Sequence, residues 1–213
     1  SYLEVYNEIV GDLLQKDNCN LKIHETVEKG IFVGNLSEPQ VSTVQEALEL
    51  VKKGEEVRKC GKTNMNDYSS RSHTLLRLHI ESRLLNPPPG IPASTRSALL
   101  CFVDLAGSER SGQMGNEGQR LKEGGHINKS LLSLTSVISK LAESNDSTRE
   151  LMNHIPYRDS KLTRILQPAL SGLSKCVIIC AVSPLPQFVD ETLSTLKFAS
   201  RAKAIQQRAT LVT

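Results

Sequence analysis

Tryptophan is absent from the 213 residues and aromatic residues make up only 4% of them. Successive nucleobases would therefore find few platforms to stack on, which argues against a nucleic-acid-binding role. No apolar run approaches the roughly 18 residues that a membrane-spanning helix needs, and no signal-peptide pattern is present. The five cysteines (Cys19, Cys60, Cys101, Cys176 and Cys180) form no Cys-x-x-Cys pair, and no His/Cys set has zinc-ligand spacing. They read as buried free thiols of a reducing compartment. The five histidines (His24, His73, His79, His126 and His154) read as structural. Net charge is only +3, so an anionic partner has to be met by a local basic cluster. There is also no Gly-x-x-x-x-Gly-Lys-Ser/Thr loop to cradle a triphosphate.

The chain is long enough to bury a core as one domain or a large part of one. Alternation over Tyr2–Tyr6 predicts a strand from the outset, so the chain is expected to open in mid-structure, as a fragment. Short strands joined by turns at Gly30 and Gly34 are expected between Leu21 and Val33. Thr43, with Glu46 three residues on, forms a capping-box pattern. It precedes a helix with Val44, Ala47, Leu48 and Val51 as its apolar stripe, ended or bent at Gly54 or at the turn that follows. Thr74–Leu84 alternates again, and the proline-rich stretch from Asn86 to Pro92 reads as a loop. Ala98–Val103 is a continuous apolar run, expected as a central strand covered on both faces. Cys176–Val182 is expected as a second buried strand. Between them, the glycine-rich residues 111–126 read as a mobile loop. Ile127, Leu131, Leu134, Ile138 and Leu141 then predict a long amphipathic helix. A further helix starts near Ser160 with Asp159 as N-cap. Glu191–Ala204 is expected to form the last helix, followed by an irregular tail.

Two segments concentrate the chemistry: Asn66-Asp67-Tyr68-Ser69-Ser70-Arg71-Ser72-His73, leading into one strand, and Asp104-Leu105-Ala106-Gly107-Ser108-Glu109, leaving the next. Splitting a terminal phosphate needs a held metal, a donor to the γ-oxygen and a positioned water. Asp104 can hold a magnesium-bound water. The Gly107 N–H can approach a γ-phosphate closely because glycine has no Cβ. Ser69 and Ser70 offer hydroxyls to the metal and to the attacking water. Arg71 and Glu109 carry opposite charges and can pair when the two loops close. Either segment alone is a weak signal, since Asp-x-x-Gly is more often a turn and Ser-Ser-Arg-Ser is often a solvated loop. Their joint occurrence in this order is specific.

These motifs resemble switch I and switch II of the kinesin motor domain. The resemblance extends to Ser1-Tyr2-Leu3-Glu4-Val5-Tyr6-Asn7-Glu8, to His126-Ile127-Asn128-Lys129-Ser130-Leu131, to Pro156–Arg164 and to Thr195–Ala202. It implies an α/β fold of the kinesin P-loop NTPase type: a central mixed sheet flanked by helices, with the N-terminal strands and P-loop absent. Residues 1–204 would be the C-terminal portion of the motor domain and 205–213 the start of a neck linker. ATP and Mg2+ are the implied cofactors. Ser70 would meet the metal and the γ-phosphate, with Ser69 near the lytic water and Asn66 shaping the loop. Asp104 would hold a magnesium water and Gly107 would sense the γ-phosphate. Arg71 and Glu109 would form the closing salt bridge, Glu109 also relaying a proton. The complete domain would be a microtubule-stimulated ATPase, and the chain alone inactive for want of the P-loop.

Arg158, Lys161 and Arg164 recur every three residues at the start of a helix, a basic stripe whose bland reading is a solvated face. In the family the similar segment meets tubulin, so the resemblance implies microtubule contact by Arg158, Lys161 and Arg164 with Tyr157 and Leu162 beside them. Lys129, and more weakly Arg120 and Lys122, would join them. It further implies a cytoplasmic, microtubule-cytoskeletal protein, with the spindle as a site and no membrane or nucleic-acid partner. It would be a homodimer through a downstream coiled coil, and the wording of residues 123–128 and 197–203 leans to the kinetochore-associated, CENP-E-like branch. The alternative is a microtubule-binding module without turnover.

Overall fold

The computed structural model describes residues 1–60, 71–85, 95–108, 119–143, 155–172 and 174–205. Two compact units share the chain. Ser1–Val5, Val10–Leu21 and Asn35–Ala106 form the first; Tyr6–Ile9, Lys22–Gly34 and Gly107–Thr213 form the second.

In the first unit, four strands lie in the order β2-β1-β5-β6. Strands β1 (Tyr2–Tyr6) and β2 (Ile9–Asp12) are joined by Asn7 and Glu8. Both have positive φ, 50° and 59°, the left-handed pair whose twist suits a two-residue hairpin turn. Strand β5 (His73–Arg83) pairs antiparallel with β1, Leu3 facing Leu75, and both leucines are fully buried. On its other side β5 pairs antiparallel with β6 (Thr95–Asp104), from Thr74 opposite Asp104 to Arg83 opposite Thr95.

Helix α1 (Val44–Cys60) starts at the predicted cap: the Glu46 amide donates to Thr43 Oγ1 at 3.2 Å. The return bond differs from a simple capping box, because the Glu46 carboxylate accepts from the Ser42 amide at 2.8 Å. That bond holds the Glu46 carboxyl below its usual range. Gly54 does not end this helix, which runs on to Cys60. It is buried, and a Cβ there would sit 2.3 Å from Cδ1 of Tyr2. Glycine at this position lets helix and sheet approach closely. The packed face is also rotated from the predicted stripe: Val44 and Leu48 are exposed, while Leu50 and Val57 join the cluster of Tyr2, Leu13 and Leu14.

Strand β6 is the largest correction to the sequence reading. It stands last in the strand order, and Leu99, Leu100, Phe102 and Val103 are all exposed. Continuous apolarity records what a strand is built to be covered by, and among the described residues nothing covers this one. The same holds for Cys176–Val182, where no strand is assigned and Val177 and Ile179 are about 90% exposed (88% and 91%).

In the second unit, β3 (Ile23–Thr26) and β4 (Gly30–Val33) form a separate hairpin, with Gly30 at a φ of 63° where it begins its strand. Helix α2 spans Gln119–Glu143. Residues 119–126 are therefore helical, contrary to the expected loop. The glycines at 124 and 125 cost helix propensity, about 1 kcal/mol each, but the good helix formers Gln119–Glu123 precede them. Leu134 and Ile138 of the predicted stripe are buried, joined by Val137, while Leu131 and Leu141 are half-buried. A 3-10 turn at Tyr157–Asp159 leads into α3 (Lys161–Leu170). Its N-cap is Ser160, not Asp159: Ser160 Oγ accepts from the Leu162 amide at 3.1 Å. Glu8 Oε2 adds a second cap, accepting from the Lys161 amide at 2.8 Å. Helix α4 (Val189–Lys203) begins two residues before the predicted start. Asp190 and Glu191 in its first turn and Arg201 and Lys203 in its last complement the helix dipole. Residues 206–213 and the proline-rich loop at 86–94 lie outside the described residues, as does most of the glycine-rich run before Gln119.

The thiols depart from expectation. Cys19 is exposed and Cys101, Cys176 and Cys180 are half-buried; all four are free. Burial raises the Cys101 and Cys176 pKa values, keeping both as thiols.

Candidate functional site

The end of the first motif and the start of the second meet in the first unit, because their strands are neighbours. Thr74 pairs with Asp104, so the start of β5 lies beside the end of β6. The Asp104 carboxylate is three-quarters exposed (75%), and its Oδ2 lies 3.8 Å from Nη1 of Arg58. Arg58, near the end of α1, is almost completely buried (8% exposed). Its Nε is 3.8 Å from Glu4, its Nη1 4.0 Å from Glu55, and its Nη2 donates to Ser72 Oγ at 3.4 Å. One guanidinium thus touches the residue preceding β5 and the residue ending β6. Tyr2 donates its hydroxyl to Glu55 in the same cluster. Burial first, and then this carboxylate neighbour, push the Tyr2 phenol up to about 12.

His73 makes the second tie. It is buried, and its Nδ1 accepts from the Ala106 amide at 2.9 Å. Desolvation lowers its pKa to about 4. The sequence reading took His73 as structural and did not single out Arg58, Glu4 or Glu55. Arg58 had a legible signal: it stands seven residues after Val51, on the inward side of α1, where a buried arginine demands charged partners.

Arg71 is half-buried beside this cluster in sequence, and Gly107 is half-buried at the start of the second unit's long C-terminal segment. Asn66, Ser69, Ser70 and Glu109 lie outside the described residues, and with them the expected Arg71–Glu109 pair.

In the second unit, the basic stripe is real but partly neutralised. Glu25 on β3 lies 3.6 Å from Nη2 of Arg158 and accepts from Nη2 of Arg164 at 2.5 Å. The hydrogen bond from Arg164, reinforced by its charge, lowers the Glu25 pKa. Arg164 Nη1 also donates to Gln167 at 2.9 Å. The Arg158 side chain remains 71% exposed, that of Arg164 only 15%. Lys129 is exposed and Lys161 half-buried. Of the expected contact residues, Leu162 is fully buried and Tyr157 is 8% exposed. Their side chains pack mainly inside the unit, beneath the stripe. The amphipathic rule explains it, since Leu162, Leu166 and Leu170 form the inward face of α3. Thr163 Oγ1 joins them, donating to the carbonyls of Tyr157 and Ser160 at 2.7 and 3.0 Å.

The kinesin motor domain family model matches residues 1–205. The chain belongs to the kinesin motor family. It is 53% identical over 205 residues to kinesin-like protein KIN-7O of Arabidopsis thaliana, covering 95% of this chain and 16% of that protein. It is 49% identical over 209 residues to kinesin-related protein 4 of Dictyostelium discoideum, covering 97% of this chain and 10% of that protein. Among solved structures, a fast kinesin described for its ATPase mechanism and microtubule interactions matches at a TM-score of 0.85 and 42% identity, over 99% of this chain and 56% of that one. A KIF14 dimer in complex with a microtubule gives the same TM-score at 38% identity, over 99% and 58%. The fold is thus the mixed α/β kinesin motor fold. This kinesin chain spans about a sixth of the length of the KIN-7O relative and a little over half of the matched motor structures.

Proposed function

We propose that this chain is part of a microtubule-based motor that couples ATP hydrolysis to movement, contributing switch I, switch II and the helices that meet the track. The observation that carries the reading is the pairing of Thr74 with Asp104, which sets the ends of the two motifs side by side. The solved relatives add weight: one is described for its ATPase mechanism and the other is bound to a microtubule.

In this reading Asp104 holds a magnesium-bound water, and its exposed carboxylate suits a hydrated cation. ATP with Mg2+ supplies the phosphoryl group and its charge-neutralising metal. Ser70 takes the metal, Ser69 positions the lytic water and Asn66 shapes the loop. Gly107 presents its N–H to the γ-phosphate; Arg71 and Glu109 close the site by pairing, and Glu109 relays a proton through water. The 213 residues hold no Gly-x-x-x-x-Gly-Lys-Ser/Thr loop, so the chain alone is expected to show no turnover. The track-facing charges are Arg158, Lys161 and Lys129, with Arg164 engaged by Glu25. Dimerisation through a downstream coiled coil, a spindle location and the kinetochore-associated branch complete the proposal.

The test uses the full-length protein. Asp104→Asn should lower ATP turnover by at least about tenfold while nucleotide binding persists, the pattern of a lost transition-state contact. Unchanged turnover would sink the role of Asp104. Replacing Arg158 and Lys161 together with alanine should weaken microtubule pelleting more steeply as salt rises; unchanged pelleting would move the track face elsewhere.

A further inference from the structure

The ladder between β5 and β6 ends at Thr74 and Asp104. Among the described residues the ladder gives no strand partner to the amides beyond that point, yet Ala106 is buried at 5% exposure and its amide cannot go unpaired cheaply. His73 supplies the acceptor. Its Nδ1, 2.9 Å from the Ala106 nitrogen, continues the ladder by one bond made from a side chain. Because Nδ1 accepts, the ring proton sits on Nε2. The imidazole is itself buried at 2% exposure, so its orientation is fixed by packing. Arg58 braces the same two segments independently, reaching Ser72 on one and Asp104 on the other. Ala106 is the last residue of the first unit and Gly107 opens the next segment.

We propose that His73 is a positioning residue for the Asp104–Gly107 turn: by accepting the Ala106 amide it fixes the backbone from which the Gly107 N–H is presented. The proposal rests on the reading of Gly107 as the phosphate-sensing residue. The bond anchors the Leu105–Ala106 peptide, and without it the Ala106–Gly107 peptide that carries the Gly107 N–H loses a fixed starting point.

Hydrogen exchange of the Ala106 amide in the full-length protein tests this directly. In the wild type the amide should be protected. His73→Leu, close in volume but without an acceptor, should speed exchange about tenfold, the worth of one net hydrogen bond. His73→Asn, whose Oδ1 can take the place of Nδ1, should retain protection. ATP turnover should follow the same order, low in the leucine variant and restored in the asparagine variant. An unprotected Ala106 amide in the wild type would overturn the proposal, as would a leucine variant that keeps protection. If the leucine variant does not fold, the asparagine variant decides: protection and turnover near wild type support the role, and loss of both overturns it. Turnover indifferent to protection would overturn positioning alone, whereas an inert Asp104→Asn would overturn the switch reading on which it rests.

Discussion

Arg58 and the Arg158/Arg164 pair are built from the same chemistry, guanidinium against carboxylate, and do opposite things. Arg58 is 8% exposed and reaches three acidic residues and a serine from inside the first unit. Arg158 reaches Glu25 from a side chain that is 71% exposed. A buried guanidinium is committed: removing it strands Glu4, whose side chain is only 13% exposed, and removing Glu4 leaves the guanidinium short of a partner. An exposed one is negotiable, since water, salt or another carboxylate can replace Glu25 at small cost. The first arrangement is suited to holding two loops in register, the second to exchanging an internal acidic partner for an external one.

The sharpest way to break this contrast is Arg58→Leu. Loss of the buried cation should destabilise the protein by about 3–5 kcal/mol, read as a lower denaturant midpoint. A change as small as that of a surface mutation would remove the distinction. Lysine at 58 should not restore stability, because its single ammonium cannot span Glu4, Ser72 and Asp104 at once.

Acid should act on the same side of the comparison. The unfolded His73 titrates near 6.5 and the folded one near 4. Stability is therefore fully present above about pH 6.5 and declines as pH falls toward 4, since the unfolded chain binds the proton first. At about 1.4 kcal/mol per pKa unit the loss approaches ~3 kcal/mol. Comparing denaturant midpoints across that window for wild type and His73→Asn checks it, because the asparagine variant should lose this part of the pH slope.

Gly54→Ala should cost about 1–3 kcal/mol by overpacking against Tyr2, measured by thermal melting; a neutral outcome would mean that α1 shifts freely on the sheet. The smallest effect on stability belongs to the surface. Glu25→Gln should shift the unfolding midpoint little, since the Glu25 side chain is 46% exposed, and should free Arg158. Under the proposed reading, microtubule pelleting should then tighten severalfold at low salt and the gain should vanish at high salt. If the variant instead melts early, the Glu25 cluster is scaffold like that of Arg58.

Local signals were legible and environmental ones were not. Thr43 and Glu46 announced the start of α1, and the alternation at Tyr2–Tyr6 and Thr74–Leu84 gave β1 and β5, because caps and pleats are written in neighbouring residues. The face of α1 was misread because Val44 and Leu48 look apolar but sit on its first, outward turns, while the packed side is defined by Gly54 and Arg58. Strand β6 and Cys176–Val182 were read as covered, since their composition reports an intended neighbour and not which one is at hand. Tyr157 and Leu162 flank the basic stripe in sequence, and only the helical register separates their inward side from Arg158. His73 was read as structural, and its bond to Ala106 depends on a register that spans 33 positions. Of the switch residues, the placement of Asp104 at a strand end was foreseen; its arginine partner was not.

Glu8 adds a kinetic consequence. It occupies a left-handed turn that glycine or asparagine would fill with less strain, and its carboxylate caps a helix 153 residues away. Glycine there should ease the turn and uncap α3 at once. The Glu8 cap closes a loop of 153 residues, against two for the Ser160 cap. High sequence separation slows such contacts, so this second cap is expected to form after the local one.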